Sequence, residues 1–410
     1  MRLQLVRTHL LPFAWLACLS LWAKTSASDP EPTPATTSAI TSPLVIRASS
    51  EVSGYHDSNH VDVLTPSISG SVENPVAGWS VKGHYLVDIV SAASVDIVST
   101  ASRRWSEVRH AAAVEGAYKP GTFGVNLSGS FSSEPDYLSI AGGGSVSQEL
   151  YEKNLTLLLG YGHTHDTIGR SGTPFSVFSR TLTRNTINPA VTIVVNRSTV
   201  MALSADAVYE RGDSSKPYRY IPMFTHAVAE TLPRGASIDL VNRLRLPERP
   251  LEQLPVERDR YALTARLLHR FDRSTLRVEE RFYADTWGLK ASTTDARNLF
   301  DLGERFVLWP HARFHVQRPV GFWHRGYEAI RSADGAQWSL PALRTGDREL
   351  GPLWSVTGGF GVRWLIGPAE RLSAWALGMQ ADLTWTNYLD DLYINQRVSE
   401  FVALVVEAEL

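Results

Sequence analysis

The stretch VDIVSAASVDIVSTAS (residues 87–102) places Asp and Ser on the same offsets twice. Carboxylates and hydroxyls at such spacing can bind a cation or orient a polar solute. The same groups can instead accept hydrogen bonds from backbone amides, which a loop without ladder partners needs. We expect an inward-folded loop that narrows a channel, and both roles stay open for it. The polar residues of this predicted constriction loop are Asp88, Ser91, Ser94, Asp96, Ser99 and Ser102.

A second chemical pattern is a set of arginines that recur with period two in the C-terminal half. Three segments that are read as consecutive strands place these arginines on one face. Rings of Arg in narrow channels favour anions, whereas mixed Arg and Glu ladders also hold a wall together, and both interpretations stay open. Glu280 would fall on the opposite, lipid-facing side, which requires a bulge or a position near the headgroups. The predicted lumen wall consists of Arg266, Arg270, Arg277, Glu279, Arg281 and Arg313.

Histidine pairs and one polar turn offer weaker alternatives. His163 with His165, or His311 with His315, could form a weak Zn or Cu site, but the spacing is common and no HExxH signature is present. The turn YHDSNH (residues 55–60) contains His, Asp and Ser, yet neighbours in a tight turn cannot converge as a catalytic triad. The sequence therefore predicts no enzyme, no cofactor and no metal site.

These residues must be positioned by strands, because the chain alternates apolar and polar residues in segments of roughly ten residues. In TFGVNLSGSF (residues 122–131), for example, Phe123, Val125 and Leu127 share one face. This pattern predicts an all-β, transmembrane antiparallel β-barrel of about 16 strands, with 14 as the alternative. A soluble β-sandwich or propeller is the rival fold. Aromatic residues near strand ends favour a membrane girdle: Trp79, Tyr118, Tyr161, Tyr209, Trp287 and Trp385.

Short and long connections alternate along the chain, and this asymmetry predicts the topology. Outer-membrane barrels have short periplasmic turns and longer external loops, so both termini are expected in the periplasm. The predicted long loops are residues 88–107, 166–182, 211–257, 288–301 and 329–351. The predicted short links are residues 73–78, 118–122, 152–154, 196–198, 272–274, 317–320 and 366–370.

The N-terminus reads as a targeting segment followed by a leader. Basic residues precede an apolar run and small residues, which predicts a signal peptide over residues 1–28. Residues 29–43 are rich in Pro, Ser and Thr and predict a flexible leader, so the barrel would span residues 44–410. The formal net charge of -2 argues against a nucleic-acid partner. The expected partners are outer-membrane lipid and the barrel-assembly machinery.

Three stretches resemble a known family of bacterial outer-membrane barrels, domain of unknown function 3570. They are GYHDSNH (residues 54–60), the doubled motif followed by Glu107, Val108 and Arg109, and RFYADTWG (residues 281–288). The resemblance runs from about residue 49 to the C-terminus. It implies a signal-bearing outer-membrane β-barrel of unestablished activity in an envelope setting that hints at redox or metal partners.

The predicted function is a passive outer-membrane channel for small polar or anionic solutes. Its lumen would be narrowed by the constriction loop and lined by the arginine wall. The alternative is a closed surface barrel that acts as an anchor or receptor for an envelope partner, with a redox-related or metal-related protein as one such partner. In that case residues 211–257 would form the docking loop.

Overall fold

The computed structural model describes residues 44–92, 105–331, 338–366 and 374–410, and within them sixteen long strands close into one antiparallel barrel. Each barrel strand pairs with the next barrel strand along the chain, and the first strand pairs with the last to close the ring. This confirms the predicted all-β transmembrane barrel and the count of sixteen strands over fourteen. The barrel strands are β1 (Val45–Asp57), β2 (Val61–Asn74), β3 (Trp79–Ala92), β4 (Trp105–Tyr118), β5 (Phe123–Glu134), β6 (Tyr137–Leu150), β7 (Leu155–Ile168), β8 (Arg180–Asn196), β9 (Thr199–Gly212), β11 (Glu257–Arg270), β12 (Ser274–Asp285), β13 (Lys290–Leu302), β14 (Phe306–Arg318), β18 (Leu353–Ile366), β19 (Ala374–Tyr388) and β20 (Gln396–Glu409).

The period-two pattern separates an apolar outer face from a polar inner face. On β2, Leu64 and Ile68 point outward and are 48% and 59% exposed, while Ser67 and Ser69 lie on the inner face. On β5, Leu127 is 66% exposed on the outer face. A belt of exposed aliphatic side chains around a closed barrel is the surface that hydrocarbon covers in a membrane.

Aromatic side chains mark both ends of this apolar belt. Tyr118, Phe306 and Trp375 are exposed near one end, and Trp385 is exposed nearer the other. Trp287 was predicted to belong to the girdle, but this is wrong. Its side chain is only 7% exposed and packs in a loop cluster with Leu254 and Leu289.

The connections define a short-turn end and a long-loop end of the barrel. Both chain ends that the structure describes, at β1 and β20, lie at the short-turn end together with turns 75–78, 119–122 and 151–154. Long connections 169–179, 213–256 and 319–352 lie at the other end. The alternation is not strict, because β5 and β6 are joined at the long-loop end by residues 135–136 alone.

Two of the predicted connections are wrong. Residues 288–301 were expected to form a loop, but most of them form β13, which pairs with both β12 and β14. The turn that follows is residues 303–305, and residues 317–320 therefore lead into the long connection 319–352 instead of forming a short link. The sequence did not indicate a strand here because Ser292, Thr294 and Asn298 lie on the outer face of β13 and interrupt the apolar alternation.

The long connections fold into a loop cap, defined as residues 213–256, 286–289, 319–331, 338–352 and 389–395. It contains the short strands β10 (Met223–Phe224), β15 (Tyr327–Glu328), β16 (Ile330–Arg331) and β17 (Trp338–Ser339) and the helices α1 (His226–Thr231) and α2 (Ile238–Leu244). Phe224 and Val241 are buried in a cluster that also includes Leu392 from the β19–β20 connection. No helix in the described ranges is long and apolar enough to cross a membrane.

Candidate functional site

The lumen has two chemically different sides. Strands β11 to β14 carry the inward-facing arginines, and β5 lies eight steps from β14 around the ring of sixteen strands. On that opposite side many inward residues are small, and Ala113, Ser128 and Ser130 are exposed, while Glu115 and Asn126 bond to each other at 2.7 Å. The lumen therefore has an exposed side with few arginines across from the basic side.

All six predicted lumen-wall residues lie on the inner face of β11, β12 or β14. Arg266 is the cross-strand partner of Glu279, and its Nη2 lies 2.6 Å from the Glu279 carboxylate. Arg277 lies 3.2 Å from the same carboxylate. One carboxylate thus serves two guanidinium groups.

The other predicted arginines differ in their partners. Arg281 lies 3.1 Å from Asp206, and Arg270 lies 2.5 Å from Asp301 near the short-turn end. Arg313 has no ion pair or hydrogen bond to any side chain of the described residues. Its guanidinium is therefore the least neutralised charge of the predicted set.

Sequence reasoning missed Arg297 and Asp295, because β13 was read as a loop. Arg297 is the direct cross-strand partner of Arg277, so two inward guanidinium groups stand side by side on β12 and β13. Asp295 lies 3.6 Å from Arg297. A correct reading of the β13 alternation would have found both residues.

His311 is held between two carboxylates on the basic side. Its Nε2 lies 2.9 Å from Asp295 and its Nδ1 lies 2.7 Å from Asp382. Asp382 is two strands away from His311, and it reaches across β18 because Gly359 has no side chain there. His315, proposed as a metal partner for His311, instead contacts Thr293 at 2.7 Å.

The remaining metal and triad alternatives do not converge in the lumen. His163 and His165 are exposed on the outer face, where His163 contacts Asn185 at 3.0 Å. His56 pairs with Asp62 at 2.7 Å across the first hairpin. Elsewhere, at the long-loop end, carboxylate oxygens of Glu107, Glu134 and Asp136 lie within 4.8 Å of one another, and each residue has further interactions.

The predicted constriction loop is only partly within the described residues. Asp88 lies inside β3, is 2% exposed, and accepts hydrogen bonds from Arg109 at 2.7 Å and Thr65 at 2.5 Å. This carboxylate is neutralised and buried, which suits a wall contact better than a cation site. Ser91 lies on the outer face with Ile89 instead of facing the channel, since β3 continues to Ala92. Ser94, Asp96, Ser99 and Ser102 lie outside the described residues.

The sequence matches one family model, described as "Protein of unknown function (DUF3570)", over residues 66–376. The chain belongs to this family. No curated protein matches it.

The DUF3570 chain is also similar to many solved structures at low identity, among them the following three. The P. putida toluene transporter TodX has 11% identity and a TM-score of 0.35, with 89% of this chain and 88% of that chain covered. A variant of OccD1 (OprD) has 8% identity and a TM-score of 0.41, with coverage of 90% and 96%. A mutant ferric enterobactin receptor, PfeA from Pseudomonas aeruginosa, has 10% identity and a TM-score of 0.40, with coverage of 83% and 53%. These scores are too low to carry an argument about function.

In this DUF3570 barrel, buried ion pairs join separate segments of the loop cap. Arg219 lies 2.8 Å from Glu252 and 3.1 Å from Asp347. Thr345 donates a hydrogen bond to the same Glu252 at 2.7 Å. Burial raises the pKa of the Asp347 carboxyl, but the positive charge of Arg219 outweighs it and holds that pKa below its usual value.

Lumen-facing side chains also hold the cap against the barrel. Gln317 of β14 donates to the backbone oxygens of Glu349 and Gly351 at 2.9 and 2.7 Å. Arg258 of β11 stacks on the Trp287 ring at 4.2 Å. Arg180 of β8 also pairs with Asp213 at 2.8 Å, and Arg397 of β20 lies 3.3 Å from Glu349. The cap is therefore held by inward residues of the basic wall and by inward residues of other strands.

Proposed function

We propose that this barrel is a passive outer-membrane channel for small polar or anionic solutes, with both termini in the periplasm. The observation that carries the proposal is the arrangement across the lumen. The arginine-rich wall of β11 to β14, in which Arg313 has no ion pair with any described residue, lies across the barrel from exposed Ala113, Ser128 and Ser130. Lipid would cover the apolar belt, and the barrel-assembly machinery would insert the chain.

Barrel size and charge favour this function together. Barrels of 16 to 18 strands leave an aqueous channel between their walls. Arginine side chains that line a pore attract anions and exclude cations, and a low-dielectric wall strengthens that field. Few carboxylates lie near the guanidinium groups of Arg266, Arg277, Arg297 and Arg313. We therefore expect the electrostatic field in the lumen to favour anions, while neutral polar solutes still pass.

Reversal potentials in planar bilayers under a KCl gradient test the proposal. We expect wild-type barrels to conduct with anion preference, and Arg313→Gln to move the reversal potential toward cations because the unpaired charge is lost. Arg305→Gln is the matched control, since it removes the same charge from the exposed turn 303–305. Anion preference that is identical in wild type and Arg313→Gln would remove Arg313 from the selectivity mechanism. Absence of conductance in wild type would exclude the channel.

The second candidate is a closed surface barrel that acts as an anchor or receptor for an envelope partner, such as a redox-related or metal-related protein. The folded loop cap favours it, because residues 213–256 present a structured surface with buried clusters instead of an irregular loop. The same bilayer measurement separates the two candidates: a closed barrel gives no current in wild type.

A further inference from the structure

Arg277 and Arg297 form an unusual pair in the lumen wall. They are direct cross-strand partners on β12 and β13, and both point inward. Like charges placed directly opposite each other on adjacent strands repel and destabilise the sheet. A pair of this kind calls for a negative partner between the two guanidinium groups.

The carboxylates near this pair do not supply enough negative charge. Glu279 is divided between Arg277 and Arg266, which holds it more closely, at 2.6 Å. Asp295 lies 3.6 Å from Arg297 and also accepts from His311 at 2.9 Å.

The arginines in this part of the wall outnumber the carboxylates. Arg313 is the cross-strand partner of Asp295 and has no ion pair within the described residues. Asp382 also belongs to this part of the wall, because it contacts His311, the cross-strand partner of Arg297. With His311 neutral, Arg266, Arg277, Arg297 and Arg313 against Glu279, Asp295 and Asp382 leave one formal positive charge in excess.

Hydrogen-bond donors are also left over at the same place. The Nε atom of Arg277 is buried and has no hydrogen-bond acceptor among the described residues. The buried Nε atom of Arg297 comes no closer than 3.6 Å to the Asp295 carboxylate, which is too far for a hydrogen bond. A buried donor without an acceptor is unfavourable, and more so when it belongs to a charged group. An oxygen-rich anion between the two side chains would satisfy both the charge and these donors.

We propose that Arg277 and Arg297 form a binding site for a small divalent oxyanion, of which inorganic phosphate and sulfate are the simplest members. The planar guanidinium group offers paired N–H donors that match two oxygens of such an anion. Chloride can neutralise charge, but as a single atom it cannot offer two separate acceptors to the paired N–H donors of each guanidinium group. The inference deepens the proposed function: it rests on solutes reaching the lumen, and it names the class that the basic wall binds.

Calorimetric titration of inorganic phosphate into the detergent-solubilised barrel, in a chloride background, tests the site without requiring conductance. We expect Arg277→Gln and Arg297→Gln each to weaken phosphate binding by at least about tenfold, because each substitution removes charge-assisted hydrogen bonds to the anion. Arg297→Lys keeps the positive charge but loses the paired N–H donors of the guanidinium group. Its affinity for phosphate should therefore lie between those of wild type and Arg297→Gln. Arg363→Gln is the matched control, a lumen-facing arginine that already pairs with Glu407 at 2.8 Å.

The outcomes separate this site from the channel. Wild-type protein that conducts but binds neither phosphate nor sulfate above chloride would overturn the site and leave the channel standing. Binding that persists in a non-conducting barrel would support the site and exclude the channel. Equal loss in Arg363→Gln and Arg297→Gln would mean diffuse attraction and would also overturn the site. If the Gln variants fail to fold, Arg297→Lys decides, and unchanged phosphate affinity in that folded variant counts against the paired-fork geometry.

Discussion

At the scale of single residues, two glycines on β18 determine which side chains of the basic wall can contact each other. Gly359 and Gly361 face inward, and a Cβ atom at either position would overlap a neighbouring side chain. At Gly359 the overlap is with the Asp382 carboxylate, and at Gly361 it is with the Trp309 indole. The missing side chains leave a shallow groove across β18, through which Asp382 contacts His311.

Gly359→Ala should close this groove and destabilise the barrel. The added methyl group would displace Asp382 from His311, and overpacking of this kind costs about 1–3 kcal/mol. Urea unfolding from lipid vesicles measures the change. Gly358→Ala is the matched control, because that neighbouring glycine faces outward and its Cβ would meet nothing within 4 Å. Equal stability of the two variants would show that Asp382 has room to move and that the groove is not needed.

At the scale of strands, β13 explains both the success and the failure of sequence reasoning. Arg266 on β11, Arg277 on β12 and Arg313 on β14 were placed on the inner face because apolar residues alternate with them. On β13 the outer face is itself polar, so no alternation separated Arg297 from a loop. Local pattern therefore predicted three quarters of the basic wall, and tertiary pairing supplied the missing strand.

The polar outer face of β13 has a cause in the neighbouring strand. Glu280 of β12 points outward, and it accepts hydrogen bonds of 2.5 Å from Ser292 and from Thr294. The pairing of β12 with β13 is continuous, so the bulge, which was one of the two alternatives for Glu280, is absent from this pair. Hydroxyl donors on the adjacent strand, and not a bulge, accommodate the carboxylate.

A double-mutant cycle should detect this coupling. Thr294→Val is expected to cost about 1.5–3 kcal/mol of unfolding free energy when Glu280 is present, since a hydrogen bond to a charged acceptor is lost. The same change in a Glu280→Val background should cost much less, because no carboxylate is then left without its donor. The free energies come from urea unfolding in vesicles. Additive effects would mean that Glu280 is solvated by other groups, such as water at the membrane surface.

At the scale of the whole molecule, the loop cap could not be predicted from sequence. The ion pairs that stabilise the cap join residues far apart in the chain, as Arg219 does with Glu252 and Asp347. The spacing of residues along the sequence does not indicate such pairs. The sequence did place residues 211–257 outside the strands, which the structure confirms for most of that range. Composition identified the loop, and long-range ion pairs and buried clusters determine its fold.

The position of the cap predicts how current flows through the barrel. Inward side chains of β11 and β14 hold it at the long-loop end of the basic wall, and Arg180 of β8 and Arg397 of β20 also bind it. Replacement of residues 213–256 by a short Gly-Ser linker should raise single-channel conductance. The barrel should still close, since β9 and β11 pair directly up to Arg211 and Glu257, and a short connection can join antiparallel neighbours.

The matched control replaces residues 169–179, a connection at the same end that joins β7 and β8, away from the basic wall. Conductance should rise less in this control, because the removed segment does not stand above the arginines. Heat-modifiable migration in electrophoresis establishes that both variants are folded. Equal conductance in wild type and in the 213–256 replacement would place the cap clear of the current path. A current that appears only after the replacement would instead identify a barrel that the cap keeps closed, which is the state that an anchor or receptor requires.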